Sequence, residues 1–577
     1  MPSKAPDAAP AAGGERRGAR DARRAVLFAA RSATALHRLL DVLPVFAGDE
    51  RIDRAFTLVP GSDFGVDALA AVERAGARTT PWAEARRRAH DLVLMASPKG
   101  ELALLRGRRV LLPHGAGFGK SVEGEGTPGT PSGLDPAFLV PDGDALLSLH
   151  ALAHPSQVAR LAALSPHAAA RAAVVGDPTL ERVLASRGRR NDYRAALGTG
   201  ARHLIALAST WGPESLLRRR PALLADLAAR LPYDTYQLAL ILHPNERSRL
   251  GELNLAERLA PALDAGMFLA GPFEEWAAVL IACDAVITDH GSAALYAAAL
   301  GRPVISAYDG GGELVPGSPM ADLLDRSPFL ADAGGLDAAL GAQRPGAVRA
   351  PADGAFAERG RALERLRAEL YRLLDVPPPR RQVVPRLLPE PATPPRGVPA
   401  SFAVRARVDG RTVTVERLPV GTDAPAHHLA AEAGRAPERH AMSAALLYRR
   451  VPRGPDRPAA GHGAAWTVAG WTEETLADHP GCRTAGVVLS PDHCVTRGRR
   501  GPLLSVRIEP LRSGGRVVRT DPAAVLSAVH TWLGQGEVGG GGGVPPGSAY
   551  EMTCVVGGLP FAVRLRPASA AEAAREC

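Results

Sequence analysis

Short aliphatic runs alternate with amphipathic segments over the first two thirds of the chain. The first series has the length of buried strands and comprises AVLFAA from Ala25, AFTLVP from Ala55, DLVLMAS from Asp91 and RRVLLP from Arg108. Such runs, when helical segments such as TALHRLLDVLPVFA separate them, are typical of βαβ units in a parallel sheet. The pattern therefore predicts a doubly wound, Rossmann-like α/β domain over residues 25–195.

A second series of the same kind follows from His203. Its strand-like runs are HLIALAST, TYQLALILHPNE, DAVITD and PVISAYD, and the amphipathic segment ALERLRAELYRLLD ends the series at Asp375. Two consecutive open α/β domains are therefore expected, with the second over residues 196–375.

The pattern changes after residue 375. Residues 376–400 are rich in proline and predict a linker. Beyond it, the alternation in FAVRARVDGRTVTVERL predicts a β-hairpin that turns at Asp409 and Gly410. Later strand-like runs indicate an antiparallel sheet with one or two helices, so a smaller α+β accessory domain is expected over residues 401–577. No motif in this region points to a chemical role.

The composition indicates a globular chain with anionic partners. Hydrophobic residues make up 46% and charged residues 22% of the 577 residues, which excludes a wholly disordered chain. The formal net charge of +9 favours phosphate esters, nucleic acid or an acidic membrane surface as partners. Aromatic residues make up only 5%, and no nucleic-acid-binding module is recognisable, so a nucleic-acid partner is not expected.

The cysteines and apolar segments bear on location. The five cysteines form no CxxC pair, which predicts no metal site and is typical of a reduced, cytoplasmic protein. No apolar run reaches the length of a membrane-spanning helix, so no transmembrane segment is expected. Residues 1–24 are interpreted as a disordered basic arm, and peripheral association with the inner face of the membrane stays open.

The segment RRVLLPHGAGFGKS contains the first candidate site. Its strand delivers His114, Gly115 and Lys120 to the carboxyl end of the first sheet, where open α/β sheets bind ligands. His114 could act as a general base, because a neutral imidazole titrates near working pH, and Lys120 could hold an anionic group. A glycine-rich structural turn and a P-loop are the alternatives. A P-loop is disfavoured because the segment is one residue short of GxxxxGK[ST] and the following sequence does not form a helix.

Three strands of the second series end in the motifs ST, HP and TDHGS. The imidazole of the HP motif could bind a phosphate oxygen. The small residues of TDHGS begin an Ala-rich helix, whose N–H groups and dipole favour a diphosphate. A tryptophan after ST could stack on a base, while ordinary turns, helix caps and loop packing are the alternatives. The candidate residues are Thr210, Trp211, His243, Asp289, Gly291 and Ser292.

The order of these motifs, HG, then ST, HP and TDHGS, resembles the GT-B fold. Within that fold it resembles the CDP-glycerol glycerophosphotransferase family of teichoic-acid polymerases and primases, with its polysialyltransferase-like relatives. The resemblance covers residues 25–375. Members carry an HG loop with a lysine, an HP motif and a TDYSS-type motif. The chain departs from this pattern at Pro113, where the family has Trp, and at His290 and Gly291, where it has Tyr and Ser.

The resemblance implies a role for each matching residue. His114 matches the general base toward the acceptor hydroxyl, and Lys120 matches the lysine of the same loop. His243 matches the histidine near the donor phosphates, which makes it the second catalytic candidate. The segment from Asp289 to Ser292 matches the helix that holds the donor diphosphate.

The expected function is transfer of a glycerol phosphate or a sugar to a hydroxyl acceptor, in cell-envelope or secondary-metabolite synthesis. The donor is a CDP- or UDP-linked nucleotide diphosphate that serves as substrate, and no metal or other cofactor is expected. The expected hydroxyl acceptors include membrane-associated ones. The expected location of the protein is cytoplasmic. Two alternatives stay open: a non-catalytic GT-B scaffold that binds a partner through residues 401–577, and a nucleotide-sugar epimerase of the same fold.

Overall fold

The computed structural model describes most of the chain. The described residues are 23–61, 72, 76–113, 115–122, 124, 126–131, 133–141, 146–344, 346–392, 397–420, 426–451, 465–538 and 549–577. They form two parallel sheets and then a closed barrel, in that order along the chain. The predicted arm, residues 1–24, lies almost wholly outside the described residues.

The first sheet consists of six parallel strands: β1 (Arg24–Ala30), β2 (Ile52–Leu58), β3 (Ala89–Met95), β4 (Arg106–Leu111), β5 (Leu149–Leu152) and β6 (Ala172–Val174). Their order is β2-β1-β3-β4-β5-β6. The last five residues of β1 are buried, as expected for a central strand whose two faces are both covered. The helices of this part are Ala33–Asp41, Leu43–Phe46, Trp82–Ala85, Leu102–Leu104, Pro136–Leu139, Pro155–Leu164, Pro166–Ala169, Pro178–Ser186, Arg187–Arg189 and Arg190–Ala196.

The second sheet consists of five parallel strands: β7 (His203–Ser209), β8 (Tyr236–Leu242), β9 (Phe268–Leu269), β10 (Ala285–Thr288) and β11 (Val304–Ser306). Their order is β11-β10-β7-β8-β9. The helices are Leu216–Arg219, Leu223–Arg230, Pro244–Leu250, Glu252–Asp264, Glu275–Ala282, Ala293–Ala299, Pro319–Arg326, Ala333–Gly335, Leu336–Gly341, Arg349–Ala355 and Ala362–Leu374.

Both sheets have the doubly wound arrangement. The strand order reverses at β1 in the first sheet and at β7 in the second, so each sheet has a crevice at the carboxyl end of its first strand. The prediction of α/β structure with parallel sheets is confirmed. Helices next to the predicted boundaries at residues 195 and 375 also pack in the core of the other unit. Tyr193 of helix Arg190–Ala196 packs in the core of the second sheet, and Leu366 of helix Ala362–Leu374 packs in the core of the first.

Residues 376–392, called the strap below, contain no helix or strand but are anchored to both α/β units. Val383 is buried in the core of the first unit, and Leu388 is buried in the core of the second. The Leu388 N–H donates to Ser186 Oγ at 2.9 Å, and its carbonyl accepts from the Tyr193 hydroxyl at 2.9 Å. The segment predicted as a linker therefore packs along both units.

The C-terminal region forms a closed barrel of nine strands. These are β12 (Ser401–Asp409), β13 (Thr412–Pro419), β14 (His428–Glu432), β15 (Leu446–Arg450), β16 (Thr484–Ser490), β17 (His493–Gly498), β18 (Leu503–Ile508), β21 (Tyr550–Val556) and β22 (Leu559–Pro567). A separate ribbon contains β19 (Leu511–Ser513) and β20 (Arg516–Val518). The helices are Glu438–Ser443, Val468–Asp478, Pro522–Val538 and Ala570–Ala573.

The predicted hairpin is confirmed, because β12 and β13 are antiparallel neighbours, but its turn is formed by Gly410 and Arg411 instead of Asp409 and Gly410. Asp409 still pairs with Thr412, and Gly410 has φ +56. The predicted antiparallel sheet is wrong in two respects. The pairs β13–β21, β14–β15 and β15–β16 are parallel, and the sheet closes on itself in the order β12-β13-β21-β22-β18-β17-β16-β15-β14. Neither the parallel pairings nor the closure has a local sequence signal, since both join segments that are distant along the chain.

The helix Pro522–Val538, called the central helix below, runs through the barrel. From Ala523 to Thr531 no residue is more than 7% exposed, and the helix contacts β12, β13, β15, β16, β17 and β21. Its sequence is apolar or small on all sides, which is typical of an enclosed helix. Gly486 of β16 permits the close approach, because a Cβ there would lie 2.9 Å from Leu526.

A buried ion cluster joins the barrel to the second α/β unit. Arg417 of β13 is 1% exposed and binds Asp234 at 2.6 Å and Asp521 at 2.8 Å. The Arg417 carbonyl accepts from the Tyr233 N–H at 2.8 Å.

Among the described residues, no helix combines the length and apolar character that crossing a membrane requires.

Candidate functional site

A cavity of about 340 Å³ lies between the carboxyl ends of the two parallel sheets. Its described lining residues follow β1, β3 and β4 of the first sheet and β7, β8, β9 and β10 of the second. Such crevices are the ligand sites of open α/β sheets. We call this space the cleft cavity. Its charged described lining consists of five cationic residues, Arg31, Arg38, Lys99, Lys120 and Arg182, and two acidic residues, Asp41 and Glu274.

The structure brings most of the predicted site residues to this cavity. Asp289 is not among the residues that line it, and His114 lies outside the described residues. The predicted residues that do line it are Gly115, Lys120, Thr210, Trp211, His243, Gly291 and Ser292.

Asp289, predicted to contact the donor, instead organises the loops around it. The side chain is fully buried. One oxygen accepts from the N–H groups of Thr210 at 2.9 Å and Leu216 at 2.8 Å, and the other accepts from the Gly291 N–H at 2.9 Å. Because backbone donors occupy both oxygens, the carboxylate fixes the loops after β7 and β10 relative to each other. A sequence pattern could not show Thr210 and Leu216 as partners, because both lie after β7, far from Asp289 along the chain.

At two glycines of the predicted motifs, atoms of other residues lie so close to the backbone that a side chain would crowd them. A Cβ at Gly291 would lie 3.1 Å from Asp289 Oδ1 and 3.2 Å from Thr210 Cβ. Gly115 has φ +73, and a Cβ there would lie 3.3 Å from Ser292 Oγ. The loop after β4 therefore meets the start of helix Ala293–Ala299 in the opposite unit, with Ser292 at the contact.

The loop that carries Lys120 is joined to the second unit. The Ser121 N–H donates to the Glu313 carbonyl at 2.9 Å, and the Lys120 ammonium lies 3.0 Å from Glu313 Oε2. Lys120 also donates to the Trp211 carbonyl and lies 4.8 Å from the centre of its indole ring. Burial alone raises the pKa of Glu313, but His290 and Lys120 outweigh it and lower the pKa. The lysine predicted to hold an anionic group is thus paired with a carboxylate.

His290, at the position where the resembled family has Tyr, lines the cleft cavity. It is 1% exposed, and its Nε2 lies 2.9 Å from Glu313 Oε2. Its buried Nδ1 has no hydrogen-bond partner among the described residues. In the neutral ring, an Nε2–H donated to Glu313 leaves Nδ1 as an acceptor for a ligand hydroxyl.

His243 ends β8 and caps the helix Pro244–Leu250. Its Nδ1 accepts from the Asn245 N–H at 3.1 Å. The neutral ring must therefore carry its proton on Nε2, which makes His243 a hydrogen-bond donor. The Trp211 ring lies 6.3 Å away, centre to centre. This geometry suits contact with a phosphate oxygen, as predicted for the HP motif.

The helix after β1 contributes residues that sequence analysis missed. The Arg38 guanidinium lies over the Tyr296 ring at 5.3 Å, and its buried Nη1 has no hydrogen-bond partner among the described residues. Both ring nitrogens of His37 are likewise buried without a hydrogen-bond partner among the described residues. Burial lowers the pKa of His37 to about 4. Buried polar atoms of this kind point to a bound ligand or water. Open α/β sheets bind ligands at the carboxyl ends of their strands. This rule, applied to β1 as well, could have drawn attention to the helix that follows it.

Arg182 pairs with the two acids of the cavity, and Glu274 also pairs with Arg386 of the strap. Arg182 is 3% exposed, and its Nη1 lies 2.8 Å from Asp41 and 2.5 Å from Glu274. Its Nε donates to the Arg386 carbonyl of the strap at 2.8 Å. These partners are distant along the chain, so no local pattern marks Arg182 as part of the site.

A metal could be considered at Glu214, His290 and Glu313, which place one ligand atom each within 4.8 Å of one another. Their ligand atoms are already in use. Glu214 accepts from the Tyr308 hydroxyl and from three backbone N–H groups of residues 311–313. Although burial raises the pKa of Glu214, these bonds lower it to about 2. The cluster is therefore a hydrogen-bonded support for the loops.

No protein-family model and no curated protein matches the chain. Among solved structures, the chain is similar to the wall teichoic acid polymerase TagF, with 14% identity and a TM-score of 0.44, over 61% of this chain and 89% of TagF. It is also similar to Anabaena HepE in complex with UDP, with 15% identity and a TM-score of 0.37, over 60% of this chain and 99% of HepE. A teichoic acid polymerase, the class that the motifs resemble, is thus among the matched structures.

Proposed function

We propose that the cleft cavity is the active site of a transferase with the two-domain GT-B layout. It binds a CDP- or UDP-linked donor and passes the glycerol phosphate or sugar to a hydroxyl acceptor. The observation that carries the proposal is the charge distribution in the cavity. Arg182 and Arg386 pair with the two acids, whereas Arg38 is half-buried and its Nη1 atom is buried without a hydrogen-bond partner among the described residues. An excess of cationic donors in a partly dehydrated cavity favours an anionic ligand.

The two walls of the cavity offer complementary donors to a diphosphate. His243 and Ser292 lie on the second unit, and Arg38 lies on the first. The volume of about 340 Å³ falls in the range of small-molecule sites. Solved structures of TagF with CDPG and of HepE with UDP-glucose supply the two donor chemistries that a binding test should compare.

The reaction needs one base and one group of phosphate ligands. In the proposal, His114 takes the proton of the acceptor hydroxyl, and the acceptor oxygen forms its new bond to the β-phosphorus or to the anomeric carbon of the sugar. The bond to the nucleotide breaks at the same centre, and the leaving phosphate takes the bonding electrons. Arg38 and the Nε2–H of His243 neutralise that developing charge. The role of His114 rests on its sequence motif.

Donor binding is the first test of the proposal. Calorimetric titration with CDP-glycerol and with UDP-N-acetylglucosamine, in Mg²⁺ and in EDTA, should show metal-independent binding of one of them. Ser292→Asp places a carboxylate at the contact with the diphosphate and should weaken binding by about tenfold or more. Ser569→Asp adds the same charge at an exposed helix start in the C-terminal region and should bind like wild type.

The possible outcomes separate the competing functions. Unchanged affinity in Ser292→Asp would remove the phosphate site from this wall. Binding of neither donor would favour the non-catalytic scaffold, and Mg²⁺-dependent binding of GTP would favour a P-loop.

The turnover number tests the proposed role of His114 as the general base. His114→Ala should lower the turnover number by about 10²-fold or more while the donor dissociation constant stays nearly unchanged. His167→Ala, which changes an exposed histidine of the same unit, is the control. Loss of donor binding with unchanged residual turnover would place His114 on the donor side instead. Product analysis by mass spectrometry distinguishes a transfer product from an epimerised donor.

A further inference from the structure

Three histidines meet where the start of β14 approaches the central helix. One ring nitrogen of each of His427, His428 and His530 lies within 4.8 Å of the others. The Nδ1 atoms of His427 and His428 are 2.9 Å apart, and the rings of His428 and His530 are 4.4 Å apart, centre to centre. These residues lie in the barrel and take no part in the cleft cavity.

The burial of this cluster is unusual for imidazoles. His428 and His530 are each 7% exposed, whereas His427 is exposed. The buried Nε2 of His428 has no hydrogen-bond partner among the described residues. A buried, neutral imidazole nitrogen without a partner retains a lone pair that a cation can use.

The surroundings orient one ring as a ligand. His530 Nδ1 lies 2.8 Å from the hydroxyl of Thr484, at the start of β16. This contact occupies Nδ1 and leaves Nε2 as the nitrogen that His530 can offer to a metal, in the manner of a metal-bound histidine whose second nitrogen is hydrogen-bonded. The backbone of His427 is held by a 2.7 Å bond from its N–H to the Val404 carbonyl.

We propose that His427, His428 and His530 bind one Zn²⁺ ion. Three imidazoles form a borderline-soft donor set that suits zinc, and the exposed position of His427 leaves a fourth coordination position for water. The ion ties the central helix to the barrel wall. Sequence analysis expected no metal site because it considered cysteine spacing, and His530 is far from the other two ligands along the chain.

Zinc content and affinity of the full-length protein test the proposal. After removal of metal with EDTA, titration with ZnSO₄ followed by calorimetry and elemental analysis should give about one zinc per chain. His427→Ala changes an exposed ligand and should lower affinity by about tenfold or more, and His428→Ala by about 100-fold or more. His440→Ala, in the same barrel but outside the cluster, should bind zinc like wild type.

Two further measurements report the site directly. Co²⁺ in place of zinc should give the visible d–d absorption of a four-coordinate site, and His427→Ala should lose it. Zinc should raise the Tm of wild type and of His440→Ala but not that of His427→Ala. If His428→Ala does not fold, His427→Ala alone decides the matter. Equal zinc affinity in wild type and His427→Ala, or no zinc binding by wild type, would overturn the proposal.

Discussion

Arg182→Met should lower the free energy of unfolding by about 3–5 kcal/mol, the range found when one partner of a buried ion pair is removed. Arg182 is 3% exposed and is the shared partner of Asp41 and Glu274. Without it, Asp41 loses its ion-pair partner, whereas Glu274 keeps its ion pair with Arg386 of the strap. The strap also loses the bond to its Arg386 carbonyl. Donor affinity should fall as well, because the added negative charge repels a diphosphate.

Urea denaturation at pH 7.5 measures the first effect. Arg372→Met removes an exposed ion pair with Glu369 on helix Ala362–Leu374 and should change the free energy of unfolding by less than about 0.5 kcal/mol. Adding Asp41→Asn to Arg182→Met should restore part of the lost free energy of unfolding, since it removes the negative charge of Asp41, which has lost its ion-pair partner Arg182. A wild-type denaturation midpoint for Arg182→Met would contradict the assigned role of the side chain.

Arg417→Met should produce a loss of similar size, about 3–5 kcal/mol, in the transition that includes the barrel. The guanidinium is 1% exposed between Asp234 and Asp521. Its removal leaves Asp234 without this partner at the junction, while Asp521 keeps Arg450 at 2.8 Å. Burial alone raises the pKa of Asp521, but Arg417 and Arg450 outweigh it and hold the pKa well below its usual value.

The pH dependence identifies the cause. A carboxyl with a lowered folded-state pKa stabilises the folded protein above its unfolded pKa of about 4, and this contribution is lost as the pH falls below that value. The difference between wild type and Arg417→Met should therefore be largest at neutral pH and smaller at pH 3.5, by urea midpoints. Arg564→Met, which changes an exposed arginine of the same barrel, should keep the wild-type midpoint at both values. A difference independent of pH would indicate lost packing instead of lost charge.

Much of the sheet structure and several site residues could be predicted from local sequence. Buried parallel strands are short aliphatic runs, and their carboxyl ends meet at one edge of the sheet. That rule was sufficient to place Thr210, Trp211, His243 and Ser292 around one space, which the structure shows as the lining of a cavity. The hairpin at Gly410 followed from an equally local turn signal.

The remaining features depend on contacts between distant segments. Asp289 has the sequence context of a donor ligand, but one of its oxygens accepts from N–H groups after β7 and the other from Gly291 of its own loop. Lys120 has the context of a phosphate ligand, but it is paired with Glu313. The importance of Arg38 depends on an atom that lacks a described partner, which no sequence pattern records. Closure of the barrel is of the same kind, because its pairings join separate parts of the chain.

The position of the last two barrel strands has a consequence for biosynthesis. β21 and β22 lie between β13 and β18, and the central helix precedes them in the chain. Until these strands leave the ribosome, the earlier strands can form at most an open sheet with two free edges, one face of which the central helix can cover. Pairings between distant segments form slowly, and exposed edges favour aggregation. The two α/β units do not contain these strands, whereas the barrel cannot close until both have been synthesised.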